Sequence, residues 1–113
     1  MDSSYYLKKD VLPNKKIFSI EELKTRLLPV FKGYDVKKAI IFGSYGKGNA
    51  SPKSDVDILV DSGLKGLKFV GLIEDIKNSL NGKEVDVFDV SHVDSGSIVE
   101  QEIKQTGVEI YAR

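Results

Sequence analysis

The chain has 113 residues, the size of one domain, and its 41% hydrophobic and 30% charged residues suit a single buried core. Seventeen basic residues balance seventeen acidic ones, so no overall positive field draws in a long nucleic acid. The lack of cysteine excludes disulfides, thiolate nucleophiles and cysteine-ligated zinc or iron–sulfur centres.

In chain order, residues 1–17 are polar and lysine-rich and are expected to form a tail ahead of a domain at 18–113. No apolar stretch reaches membrane-spanning length, and the N-terminus lacks the apolar core of a signal peptide. A cytoplasmic protein with no membrane partner is expected. Ser19 and Glu22 form a capping box that starts a helix with Ile20, Leu23, Leu27 and Phe31 on one face. Pro29 is expected to kink or shorten it. The run AIIF at 39–42, ended by Gly43, reads as a central buried strand. In VDILV at 56–60, Val56, Ile58 and Val60 share one face. After a turn at 62–66, Phe69, Leu72, Ile73, Ile76 and Leu80 recur at helical spacing, and Asn81-Gly82 stops that helix. EVDVFDV at 84–90 is a third strand, residues 96–105 a last helix ended by Gly107, and VEIY at 108–111 a final strand. The predicted fold is α+β, a small mixed sheet with helices packed on one face.

The chemistry concentrates between residues 42 and 61. Asp55 and Asp57 are two apart on a strand and point the same way, with Cα atoms roughly 7 Å apart. Carboxylates so placed can converge on shared cations. Two such ions can clamp the attacking and leaving oxygens of a phosphoryl transfer, and magnesium suits oxygen ligands completed by substrate phosphates. Upstream, Gly43, Gly46 and Gly48 permit close backbone approach to a ligand. Ser44 adds a hydroxyl donor and Lys47 a mobile positive charge. Either feature alone is compatible with a solvated turn; together they outline a metal–nucleotide site. The order of Lys47 and Gly48 does not fit a P-loop, and GxGxxG is absent.

Gly43-Ser44, ten residues, then Asp55-Val-Asp57 resembles the signature of the DNA polymerase β-like nucleotidyltransferases. From about residue 18 to 111 the chain is similar to their smallest members, the minimal nucleotidyltransferases that act as antitoxins beside HEPN-domain toxins. The resemblance implies a third carboxylate on a later strand. In this sequence it falls on Asp86, which alternation places on the face of Asp55 and Asp57; Asp89 competes but shares the parity of the valines. It further implies that Asp55 and Asp57 hold two magnesium ions. Asp86 would hold the catalytic one and help deprotonate the acceptor, and Gly43 and Ser44 would grip the phosphates of a nucleoside triphosphate. The expected reaction is transfer of AMP from ATP to a hydroxyl of a HEPN-type toxin. That family usually reads GSxARG, whereas this chain reads GSYGKG, with Gly46 for alanine and Lys47 for arginine.

The remaining polar candidates have plainer readings. His92 is expected in a polar loop, Glu100 and Glu102 on a solvated helix face, and Tyr111 in packing. At this length no separate acceptor-binding domain is expected, and an acceptor presented by another chain is expected instead. Two rival expectations stand beside this one. One is a binding module that neutralises its partner by contact; the other is nucleotidyl transfer to a small molecule or an RNA end.

Overall fold

The structure is a computed structural model that describes residues 16–113. The expected tail at 1–17 therefore falls almost wholly outside the described residues. Helix α1 (Ile20–Gly33) opens with the capping box: Ser19 Oγ accepts the Glu22 N–H at 3.0 Å, and Glu22 Oε1 accepts the Ser19 N–H at 2.9 Å. Pro29 does not shorten it, since the helix runs on to Gly33. Pro29 and Thr25 are both exposed, so the carbonyl that loses its partner faces water, while Leu23, Leu27 and Phe31 hold the buried side.

Strand β1 (Lys38–Phe42) leads into α2 (Gly43–Lys47), a five-residue helix where the sequence suggested a loose turn. Gly48, at φ 80°, closes α2 in the left-handed conformation. Then follow β2 (Val56–Asp61), α3 (Leu67–Ser79), β3 (Val85–Asp89), a single 3-10 turn, α4 (Ile98–Thr106) and β4 (Val108–Ala112). Asn81 and Gly82, both at positive φ, end the α3 region as expected. The sheet order is β3-β2-β1-β4, with β1 antiparallel to both neighbours and β2 parallel to β3.

Alternation divides the sheet cleanly. Ala39, Ile41, Val56, Ile58 and Val60 are fully buried against α1 and α3, which supply Leu23, Leu27, Phe31, Leu72, Ile76 and Leu80. Val85, Val87 and Tyr111 pack at the margin of this core, with the Phe31 and Tyr111 rings 5.4 Å apart. Two of the four α-helices among the described residues thus cover one face. Short α2 and α4 pack on each other instead, beside β1 at its carboxyl end. The opposite face keeps Ile40, Phe42, Asp57, Leu59, Asp86 and Phe88, as the paired registers require.

Asp89 has the parity of the core and a structural task. The residue is 1% exposed, and its carboxylate accepts four hydrogen bonds, from the N–H and hydroxyl of both Ser62 and Ser91, at 2.6 to 3.0 Å. Burial alone would raise its pKa, but these bonds hold it down at about 2. A depressed acid stabilises the fold above its unfolded pKa of 3.8, and that contribution fades as pH falls through about 2. Asp89→Asn is expected to lower stability by about 2 kcal/mol or more at pH 7. The difference from wild type should close between pH 4 and pH 2, as denaturant unfolding at each pH would show.

Candidate active site

The ten residues between Ser44 and Asp55 are organised, not slack. After Gly48, Ser51 and Ser54 tie a turn, with the Ser51 N–H on Ser54 Oγ at 2.9 Å and the Ser54 N–H on the Ser51 carbonyl at 3.0 Å. That turn delivers Asp55 to the threshold of β2. Beneath it lies Lys83, 2% exposed, whose amine donates to the Pro52 carbonyl at 3.1 Å and lies over the Tyr45 ring. Burial pushes the Lys83 pKa down, and the nearby Asp55 charge opposes that shift.

Asp57 and Asp86 are direct Cα partners across the parallel β2–β3 ladder, so both carboxylates leave the uncovered face side by side. Asp55, two residues before Asp57, is exposed. Asp57 is half-buried, and its pKa is raised to about 6. Desolvation is the largest cause, followed by the charges of Asp86, Glu102 and Asp55. Among the described residues, the charged groups that shift Asp57 are all acids.

Gly43 meets this cluster from β1. It has φ 71°, and an added Cβ would overlap Asp57 Oδ2, so only glycine lets the carboxylate rest against the backbone. Its N–H is already engaged, donating to Thr106 Oγ1 at 2.8 Å. Ser44 is half-buried directly after it, and Lys47 is exposed at the end of α2. The structure thus brings Gly43, Asp57 and Asp86 together, with Ser44 directly after Gly43 and Asp55 two residues before Asp57. It places Lys47 on the outer end of the same short helix.

Three participants escaped the sequence reading. Glu102, expected on a solvated helix face, is half-buried on α4, and its charge reaches Asp57. Thr106, one helical turn later, bonds Gly43, and Lys83 underlies the loop before Asp55. Only the i, i+4 spacing of Glu102 and Thr106 could have hinted that they share a face. His92, expected in a polar loop, instead closes the 3-10 turn Val90–His92; it is exposed, with its ring edge-on to Phe69 at 6.4 Å.

Among the described residues no three histidine, aspartate or glutamate side chains stand as a ready-made cation cage. The donor set still fits a hard divalent ion, being all oxygen and carrying enough negative charge to perturb Asp57 strongly. Among the same residues no helix is long and apolar enough to cross a membrane.

Comparison with known proteins bears on the family and the fold. The family model described as polymerase beta, nucleotidyltransferase, matches residues 25–113. A Methanocaldococcus jannaschii protein provisionally named a protein adenylyltransferase is 40% identical over 72 residues, covering 61% of this chain and 75% of that protein. A toxin–antitoxin crystal structure with AMP-PNP superposes with TM-score 0.67 at 19% identity, over 80% of this chain and 73% of the other. A Shewanella oneidensis structure of a tri-AMPylated HEPN toxin with its MNT antitoxin gives TM-score 0.63 at 16% identity, over 83% and 73%. At such identities the two structures establish a shared fold.

Proposed function

The chain belongs to the polymerase β nucleotidyltransferase family and is a nucleotidyltransferase, and on that premise we propose that it transfers AMP from ATP to a hydroxyl on a HEPN-type toxin. The transferring unit is residues 18–113, acting in the cytoplasm. The observation that carries this reading is the Asp57–Asp86 pair on the open sheet face, with Gly43 pressed against Asp57.

Asp55, Asp57 and Asp86 would hold two magnesium ions, which when bound would offset the carboxylate charge and polarise the phosphate oxygens. Ser44 would donate to the β- and γ-phosphates and Lys47 would supply positive charge beside them. The acceptor oxygen forms a bond to the α-phosphorus, the bond to the bridging oxygen of the β-phosphate breaks, and pyrophosphate leaves. The acceptor proton passes to Asp86, which faces open space on the uncovered side of the sheet. Burial among acids disfavours charge on Asp57, a cost that bound cations would relieve.

The test is direct. The protein, ATP and Mg²⁺ incubated with a HEPN protein encoded beside it should add one AMP mass per modified site. The partner's toxicity should fall in step with modification. Equal silencing without ATP, or by a triple Asp55→Asn, Asp57→Asn and Asp86→Asn variant, would make contact the mechanism.

A further inference from the structure

The proposed transfer requires Ser44, placed by the Gly43 before it, to meet each phosphate in the same geometry, yet α2 has five residues, two of them glycine. A helix so short does not hold its own shape. The hold must come from elsewhere in the chain.

We propose that Thr106 is a positioning residue of the nucleotide site, its hydroxyl holding Gly43 in the backbone conformation that sets the phosphate-binding turn against Asp57. The inference rests on the nucleotidyl-transfer reading of that site. Thr106 is 8% exposed, and its Oγ1 makes two bonds of opposite sense. It donates to the Glu102 carbonyl at 2.7 Å and accepts the Gly43 N–H at 2.8 Å. A hydroxyl has one proton, so donation back along α4 commits it and turns the lone pairs toward Gly43. Gly43 opens α2, where no carbonyl of the helix can reach its N–H. Without the threonine that buried N–H would have no protein partner in place of water.

A second point of contact fixes the same two elements. Gly46 lies so close to the Thr106 carbonyl that a Cβ there would overlap it. The hydroxyl and the carbonyl of one residue thus grip both ends of a single turn of α2. Because Ser44 follows Gly43 directly, a change in the Gly43 peptide plane swings the Ser44 N–H and hydroxyl together. With the Gly43 N–H engaged by Thr106, phosphate contacts fall to Ser44, and Thr106 sets where Ser44 stands.

Thr106→Val keeps the side-chain shape and removes both bonds, whereas Thr106→Ser keeps the hydroxyl. Calorimetric Mg-ATP binding and amide exchange of Gly43 by NMR are measured on wild type and both variants. Thr106→Val is expected to weaken ATP binding roughly 5- to 30-fold and to lose Gly43 protection. Thr106→Ser should keep the protection and bind within about twofold of wild type. Wild-type affinity in Thr106→Val overturns the proposal, as does a folded Thr106→Ser that protects Gly43 but binds as poorly as the valine variant. A rapidly exchanging Gly43 amide in the wild type overturns it whatever the variants do. A wild type that binds no Mg-ATP removes the nucleotidyl-transfer reading itself, and the positioning role with it.

Discussion

Asp57→Asn is expected to abolish AMP transfer and, in the same protein, to raise the melting temperature. The two effects have one cause. Asp57 is held half-buried among Asp86, Glu102 and Asp55, with its pKa raised from 3.8 to about 6. An acid whose folded pKa is raised opposes folding when charged. The penalty is absent below 3.8, grows between 3.8 and about 6, and is complete above that. The shift bounds it at about 3 kcal/mol, and solvent reaching the half-buried group reduces it to about 1–2 kcal/mol. Neutral asparagine avoids that penalty, so the melting temperature should rise by roughly 5 °C at pH 7.5. At pH 4 most of the gain should vanish, because folded wild-type Asp57 is then protonated. Transfer should fall by about a thousandfold or more, since the lost carboxylate serves charge stabilisation worth several kcal/mol. Calorimetry at both pH values and a mass assay for AMP transfer check both halves. A variant that melts lower at pH 7.5, or still transfers at the wild-type rate, would show that Asp57 belongs to the framework instead.

Much of the fold was legible because burial leaves a periodic trace. The buried Val56, Ile58 and Val60 fall at alternate positions, and Leu72, Ile76 and Leu80 at helical ones. Parity also separated Asp86 from Asp89: the first is exposed beside Asp57, while the second is buried and saturated by Ser62 and Ser91. What periodicity cannot report is which polar side chain turns toward another element. Glu102 and Thr106 look like any polar helix residues, yet the Thr106–Gly43 bond spans 63 positions. Lys83 shows the same limit, since nothing local says that a lysine after Asn81-Gly82 will be buried under Pro52. α2 lies where Gly43, Gly46 and Gly48 locally disfavour a helix. Its helical form comes with packing on α4, a tertiary contact that overrides weak propensity.

Gly46 gives that contact a sign and a size. It stands where the minimal nucleotidyltransferases usually have alanine, and its conformation is an ordinary helical one, so propensity alone favours Gly46→Ala by about 1 kcal/mol. Sterics oppose it. The new Cβ would overlap the Thr106 carbonyl oxygen and lie 3.1 Å from the Ile41 carbonyl oxygen, both backbone atoms without a rotamer to change. Overpacking of this kind costs about 1–3 kcal/mol, and more where backbone must move, so the steric term wins. We therefore expect Gly46→Ala to lose about 1–2 kcal/mol net and to melt several degrees lower. The relief available is a shift of α4 away from α2, which would lengthen the Thr106–Gly43 bond and draw Glu102 away from Asp57. Mg-ATP affinity should consequently fall in Gly46→Ala, while Lys47→Arg, on the exposed end of α2, should leave stability unchanged. Thermal melts and nucleotide titrations of both variants check this. If Gly46→Ala is as stable as wild type and binds nucleotide equally well, then α4 does not approach α2 this closely in solution, and the glycine has no steric origin.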